Sequence, residues 1–298
     1  MKTMSYLKSN IIGVIRLILI LSELIIGFST LAIVNIPRTL IRSQTFKIFL
    51  HKLSNQIGEV TVLGLKYIMQ LMYGKDSIQV IGKKDLSINE WYLAMSNHSS
   101  WADIFVILVA TNYRIPLLKI FMKKELWWIP FVFLANKTLN MPFVNRHSKK
   151  EIEKNPSLRT RDYENTIKSC KRFLRCPSTI FSYAEGTRFT KEKHRNQQSP
   201  YNNLLTPKIG GMATALSAMP AINTLVDYSL VYESSKRDAW SFLTGEMKNV
   251  KILVKKYDIP EYLKEKNYSA DEQYREDFKD WIEDIWAQKD KDIENLKF

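Results

Sequence analysis

A histidine and an aspartate five places apart, His98 and Asp103 in the stretch Asn97-His98-Ser99-Ser100-Trp101-Ala102-Asp103, are the residue types of a base and its orienter. Five residues of continuous α-helix turn through about 500° and leave two side chains about 140° apart, so the pair can meet only where the backbone turns. The expected arrangement ends a strand near Met95, puts Ser99 or Ser100 at a helix N-cap, and places Asp103 in the first helical turn. Serine suits the cap and a carboxylate suits the positive end of the helix. Asp103 would then fix one imidazole nitrogen and leave the other free to take a proton. With four His in 298 residues the spacing alone is a weak motif, and no nucleophile of the chain's own accompanies it.

Two further clusters belong beside this one. Ser178 to Ala184 reads as a buried strand running into Glu185-Gly186-Thr187-Arg188, which puts an acid and an arginine at a strand's C-terminal end. Open α/β sheets keep their sites there. Met141-Pro142-Phe143-Val144-Asn145-Arg146 repeats the design and delivers Arg146. Two arginines at strand ends suit a phosphate, which accepts paired guanidinium hydrogen bonds. Glu185 has a structural alternative, pairing with Arg188 to hold the turn, and Arg146 alone would be an ordinary surface charge. His51, His147 and His194 have no matching partners and read as surface histidines, and no metal-ligand pattern is present.

The elements that must position these residues form an α/β pattern with a mixed, mostly buried sheet flanked by helices. Strands are expected at 77–82, 91–96, 139–144, 178–184, 222–232 and 250–254, and helices at 100–112, 123–138, 163–175 and 208–219. The polar connections 147–162 and 190–207 are long enough to be mobile substrate loops. Ahead of them, Ile11 to Ile36 is an apolar run; its 26 residues would reach about 39 Å as a helix, enough to cross a bilayer. Arg16 is expected to snorkel near one end, while Glu23 is costly near the middle and leaves room for a helix lying in the surface. Val60 to Tyr73 reads as an interfacial or core helix. At the other end Ser269-Ala270-Asp271-Glu272 has a capping-box pattern, and Tyr274, Phe278, Trp281, Ile282, Ile285 and Trp286 form a docking stripe. The division expected is a membrane-anchoring helix and basic linker over 1–55, a catalytic domain over 56–257 and a docked helix over 258–298.

Net charge is +14, distributed as +6 over residues 1–52, +14 over 53–257 and −6 over 258–298. A basic middle section suggests an anionic partner: nucleic acid, acidic lipid or a phosphorylated substrate. Helix-turn-helix, zinc-knuckle and aromatic RNA-binding signatures are missing, which argues against a nucleic-acid-binding protein. A lipid hydrolase would share His98 and Asp103 but would need a GxSxG elbow, which the chain lacks. Cys170 and Cys176 fit reduced thiols facing the cytosol.

Together the motifs resemble the glycerolipid acyltransferases of the lysophosphatidic acid acyltransferase (PlsC-like) family. Asn97 to Asp103 is similar to its His-x4-Asp block, Phe143-Val144-Asn145-Arg146 to its second block, and Glu185-Gly186-Thr187-Arg188 to its third, in the same order. The resemblance covers about residues 57–257, and Phe189-Thr190-Lys191-Glu192-Lys193-His194 is similar to a branch joining some bacterial inner-membrane members to eukaryotic ones. It implies acyl transfer from a thioester, acyl-CoA or acyl-carrier protein, to the hydroxyl of a lysophospholipid, with no cofactor and no acyl-enzyme. It further implies His98 as base, Asp103 as orienter, and Arg146, Glu185, Gly186, Thr187 and Arg188 at the substrate phosphate. Backbone N–H groups near Ser99 are the expected oxyanion donors. Membrane lipids are expected partners, and the expected location is a membrane, the inner membrane in a bacterium, with the catalytic domain facing the cytoplasm.

Overall fold

The computed structural model describes residues 2–37, 41, 43–82, 85–120, 122–123, 133, 138–139, 141, 143–144, 157–247, 249–264, 266–268 and 270–298. Its helices are α1 (Lys2–Asn35), α2 (Gln44–Tyr73), α3 (Asp103–Thr111), α4 (Ser157–Cys170), α5 (Lys191–Gln197), α6 (Gly210–Ala218), α7 (Ala239–Thr244) and α8 (Glu272–Leu296). Its strands are β1 (Ile78–Gly82), β2 (Tyr92–Ser96), β3 (Leu118–Ile120), β4 (Met122–Lys123), β5 (Phe143–Val144), β6 (Thr179–Tyr183), β7 (Thr224–Tyr232) and β8 (Val250–Asp258). The six-stranded sheet runs β1-β8-β7-β2-β6-β3, parallel throughout except where β7 and β8 pair antiparallel. β4 and β5 form a small parallel pair of their own.

β2 is buried along its whole length, and the period-2 alternation of its side chains divides the core. Leu93 and Met95 face a layer that includes α6 and α8, while Tyr92 and Ala94 face a layer that includes α3 and the end of α2. Ser96 lies level with Tyr183 on β6 and with Tyr228 on β7, so the ends of β2 and β6 open on one edge of the sheet. β7 continues four residues past that level, to Tyr232.

α1 and α2 pack antiparallel. Asn35 donates to the Ser54 hydroxyl at 2.9 Å near one end of the pair, and Gly64 of α2 leaves room for the Glu23 carboxylate further along. A Cβ at Gly64 would meet that carboxylate, so a larger residue there would push the Glu23 side chain aside. Arg16 does not snorkel. Its guanidinium donates to the carbonyls of Leu243 at 2.9 Å and Met72 at 2.7 Å and lies over the Tyr73 ring, which ties α1 to α2 and α7. Trp240 of α7 adds a bond to Asn10 at 3.0 Å.

Several boundaries differ from expectation for local reasons. α2 begins at Gln44, capped by Ser43, and runs unbroken through the 55/56 division, because its polar Ser54 and Glu59 are buried with partners inside the fold. β3 is hidden in the sequence by Lys119, which is fully buried and donates to Asn55 Oδ1 at 2.7 Å and the Leu139 carbonyl at 3.2 Å. Burial lowers the Lys119 pKa to about 7. The cap of α8 is Asp271, whose carboxylate accepts from Tyr274 N at 2.9 Å. Most of the helix expected at 123–138 and residues 147–156 of the expected 147–162 loop lie outside the described residues, Met122–Lys123 is strand, and residues 157–162 are not loop but the first turns of α4. Segment 190–207 is pinned: Thr190 caps α5, and Asp290 of α8 accepts from Asn202 N at 2.8 Å and Asn203 N at 2.7 Å.

Candidate active site

β2 ends at Ser96, and the chain then loops through His98 before α3 starts at Asp103. Asn97 fixes the loop to β7, its side-chain amide donating to the Leu230 carbonyl at 3.0 Å and accepting from Leu230 N at 2.8 Å. The N-cap is Ala102, in place of the expected Ser99 or Ser100; Ser100 Oγ instead accepts from Ala102 N at 3.1 Å and donates to the Arg237 carbonyl at 2.8 Å.

Asp103 is fully buried, and both of its oxygens are used. Oδ2 lies 2.8 Å from His98 Nδ1 and accepts from Ser99 N at 2.7 Å and Ser100 N at 2.9 Å. Oδ1 accepts from the Tyr232 hydroxyl at 2.6 Å. Four donors therefore compensate a carboxylate taken out of water. The Ser99 and Ser100 N–H groups are consumed here, so they are not the oxyanion donors expected of them. A carboxylate at Nδ1 assigns the ring proton to that nitrogen and leaves Nε2 as an acceptor. Among the described residues Nε2 meets no hydrogen-bond partner, and the side chain is 21% exposed. The Tyr183 ring stacks on the imidazole with centroids 4.0 Å apart and planes 16° apart, which fixes the ring plane. Burial holds the Tyr183 hydroxyl well above the usual phenol range, so it stays protonated.

Glu185 faces inward. Its Oε1 accepts from His98 N at 2.7 Å and its Oε2 from Leu205 N at 3.0 Å, with the residue 1% exposed. Burial raises its pKa to about 7, against the pull of the two N–H groups. Its visible role is to hold the histidine loop against 199–205, a segment in turn held by Trp286 Nε1 donating to the Leu205 carbonyl at 2.9 Å. Neither the expected pairing with Arg188 nor a surface for a phosphate is what its carboxylate meets. Gly186 follows with φ 67°, the left-handed conformation that glycine adopts without strain, and its N–H closes a turn onto the Tyr183 carbonyl at 2.9 Å.

That turn brings Thr187 and Arg188 beside the histidine loop, since Phe189 N donates to the His98 carbonyl at 2.7 Å. The Arg188 guanidinium lies 4.3 Å from the ring centre of Trp101, whose indole is exposed. Lys193 donates to Thr187 Oγ1 at 2.8 Å and to the Arg188 carbonyl at 3.0 Å, adding a second cation. His98, Asp103, Glu185, Gly186, Thr187 and Arg188 thus converge on one sheet edge, while Arg146 lies outside the described residues. Sequence reasoning missed Tyr232, Tyr183 and Lys193 as site residues, although Tyr183 and Lys193 sit in stretches that the motifs single out. Among the described residues no group of three or more His, Cys, Asp or Glu could hold a metal ion.

Comparisons with known proteins bear on the fold and the family. The fold is similar to the solved structure of the 1-acyl-sn-glycerophosphate (LPA) acyltransferase PlsC from Thermotoga maritima, with TM-score 0.51 at 15% identity, over 96% of this chain and 98% of that one. No curated protein matches the chain. Residues 77–232 match the family model described as Acyltransferase. Since that match spans more than half of the chain and takes in both the histidine loop and the Arg188 turn, the chain belongs to the acyltransferase family.

Proposed function

We propose that the protein transfers a fatty acyl group from an acyl thioester to the free hydroxyl of lysophosphatidic acid or a related lysophospholipid. The observation that carries this reading is the His98–Asp103 pair at 2.8 Å, set beside the Arg188 turn at one sheet edge. His98 Nε2 takes the proton of the acceptor hydroxyl as its oxygen attacks the thioester carbonyl, and Asp103 stabilises the imidazolium that forms. The tetrahedral intermediate then expels the thiolate, which takes the proton back from His98 and leaves as thiol. General-base assistance of this kind contributes ~10²–10⁴-fold. Arg188, with Gly186, Thr187 and Arg146, binds the acceptor's phosphate, and Glu185 supports the site from behind. The donor is acyl-CoA or acyl-carrier protein.

The reading includes membrane attachment, which α1 supports. Leu7–Asn35 is long and apolar enough to cross a bilayer, and Ile11, Ile15, Ile18, Ile26 and Ile33 are exposed along it. Exposed Phe49, Val60 and Leu71 of α2 add to this apolar surface. Because α1 is bonded to α7 through Asn10 and Arg16 and to α2 through Asn35, the arrangement favours a helix pair lying in the cytoplasmic leaflet over a free-standing span. In a bacterium this would be the inner membrane.

The test is an assay of the full chain in vesicles, offering lysophosphatidic acid and lysolipids with other headgroups, with acyl-CoA or acyl-carrier protein as donor. Diacyl product formed preferentially from a phosphomonoester acceptor is the expected result. Release of free fatty acid without acceptor acylation would overturn the reading.

A further inference from the structure

We propose that Tyr232 is a positioning residue of the acyl-transfer centre, its hydroxyl holding Asp103 in the orientation from which that carboxylate directs His98. The inference rests on the reading of His98 as the base.

Tyr232 reaches Asp103 from 129 residues away, at the end of β7, and its hydroxyl donates to Oδ1 at 2.6 Å. The reach is set by the sheet. β7 is locked in antiparallel register with β8, Tyr232 opposite Val250, and the Asn97 amide pairs with both polar backbone atoms of Leu230 two residues earlier. Both partners are buried, with Asp103 at 0% and Tyr232 at 5% exposure. Oδ2 is already shared by the imidazole and two backbone N–H groups. Without the phenol, Oδ1 would be a buried carboxylate oxygen with no donor among the described residues, free to rotate its partner oxygen off Nδ1. A buried acceptor left unpaired is costly, and a bond to a charged group is among the stronger ones.

Several other charged or titratable groups face the pair. Arg237, in the connection after β7, lies over the Tyr232 ring at 5.0 Å and sets its positive charge near Asp103. Tyr183 of β6 stacks on the imidazole, and Glu185 accepts from His98 N and adds negative charge near Asp103. None of the three donates to Oδ1, so the phenol has a task they do not duplicate. Its proton also draws charge away from the carboxylate. Removing it leaves His98 facing a stronger anion, which favours the imidazolium and moves the acid limb of the rate profile to higher pH.

The experiment compares the full chain in vesicles with Tyr232→Phe, Asp103→Asn, the double variant and His98→Ala, each normalised to folded protein by thermal melting. Tyr232→Phe should lower kcat about tenfold to a hundredfold, leave the acceptor KM unchanged and shift the acid limb of kcat/KM upward. In the Asp103→Asn background the same change should cost little more, because the carboxylate it acts through is gone. Loss of turnover in His98→Ala combined with a wild-type rate and pH limb in Tyr232→Phe would sink the Tyr232 assignment alone, as would full additivity in the double variant. Retained turnover in His98→Ala would overturn both that assignment and the base reading beneath it.

Discussion

Replacing Glu185 with Gln removes a charge at nearly constant volume and makes the energetics behind His98 measurable. Burial raises the Glu185 pKa from 4.5 to about 7. At 1.36 kcal/mol per pH unit the gap corresponds to about 3 kcal/mol between folded and unfolded states. The folded state holds its proton more tightly than the unfolded chain, so stability is greatest below pH 4.5 and falls as pH rises through 7. The wild type therefore loses about 3 kcal/mol over that interval on account of this one group, and a variant that does not titrate loses none of it. Gln cannot accept at both oxygens, so His98 N or Leu205 N loses a partner, an offset that does not vary with pH. The assay is thermal unfolding of both proteins in one detergent from pH 4.5 to 7.5. At ~2–4 °C per kcal/mol, Glu185→Gln should gain several degrees on the wild type across that range, other buried titratable groups cancelling in the comparison. Parallel melting curves would refute the reasoning and place the Glu185 carboxylate in contact with water.

Arg188→Ala should raise the acceptor KM about tenfold to a hundredfold while leaving that of the acyl thioester unchanged, since one charge-assisted bond to phosphate is lost; steady-state kinetics with each substrate varied checks this, and an unchanged acceptor KM would remove Arg188 from the phosphate site. Arg16→Ala strips the Leu243 and Met72 carbonyls of their donor and should lower the melting temperature by several degrees with kcat per folded molecule kept. Unchanged melting would mean that Arg16 does not tie α1 to α7.

The parts of the site legible in the sequence are those carried by local pattern. Ser178 to Ala184 is an unbroken small and apolar run feeding a glycine turn, which is why residue order alone places β6 and the Arg188 turn. His98 and Asp103 are legible because only a strand-to-helix turn lets that spacing meet. What escapes depends on distance along the chain. The Tyr232 hydroxyl serves Asp103 only because β7 outruns β2 by four residues, a register that no stretch of sequence reports. The inward turn of Glu185 depends on Leu205, itself held by Trp286 of α8, a residue legible as part of an apolar stripe but not as a donor. Lys119 misleads in the opposite sense: a lysine reads as solvent, and here Asn55 and Leu139 supply acceptors in its place.

The central claim is that His98 takes the proton from the acceptor hydroxyl. Its most direct measurement is the turnover of full-length His98→Ala in vesicles at saturating lysophosphatidic acid and acyl thioester, beside wild type of equal membrane attachment and melting temperature. A loss of ~10²–10⁴-fold is predicted. Turnover within a few-fold of wild type would contradict the account.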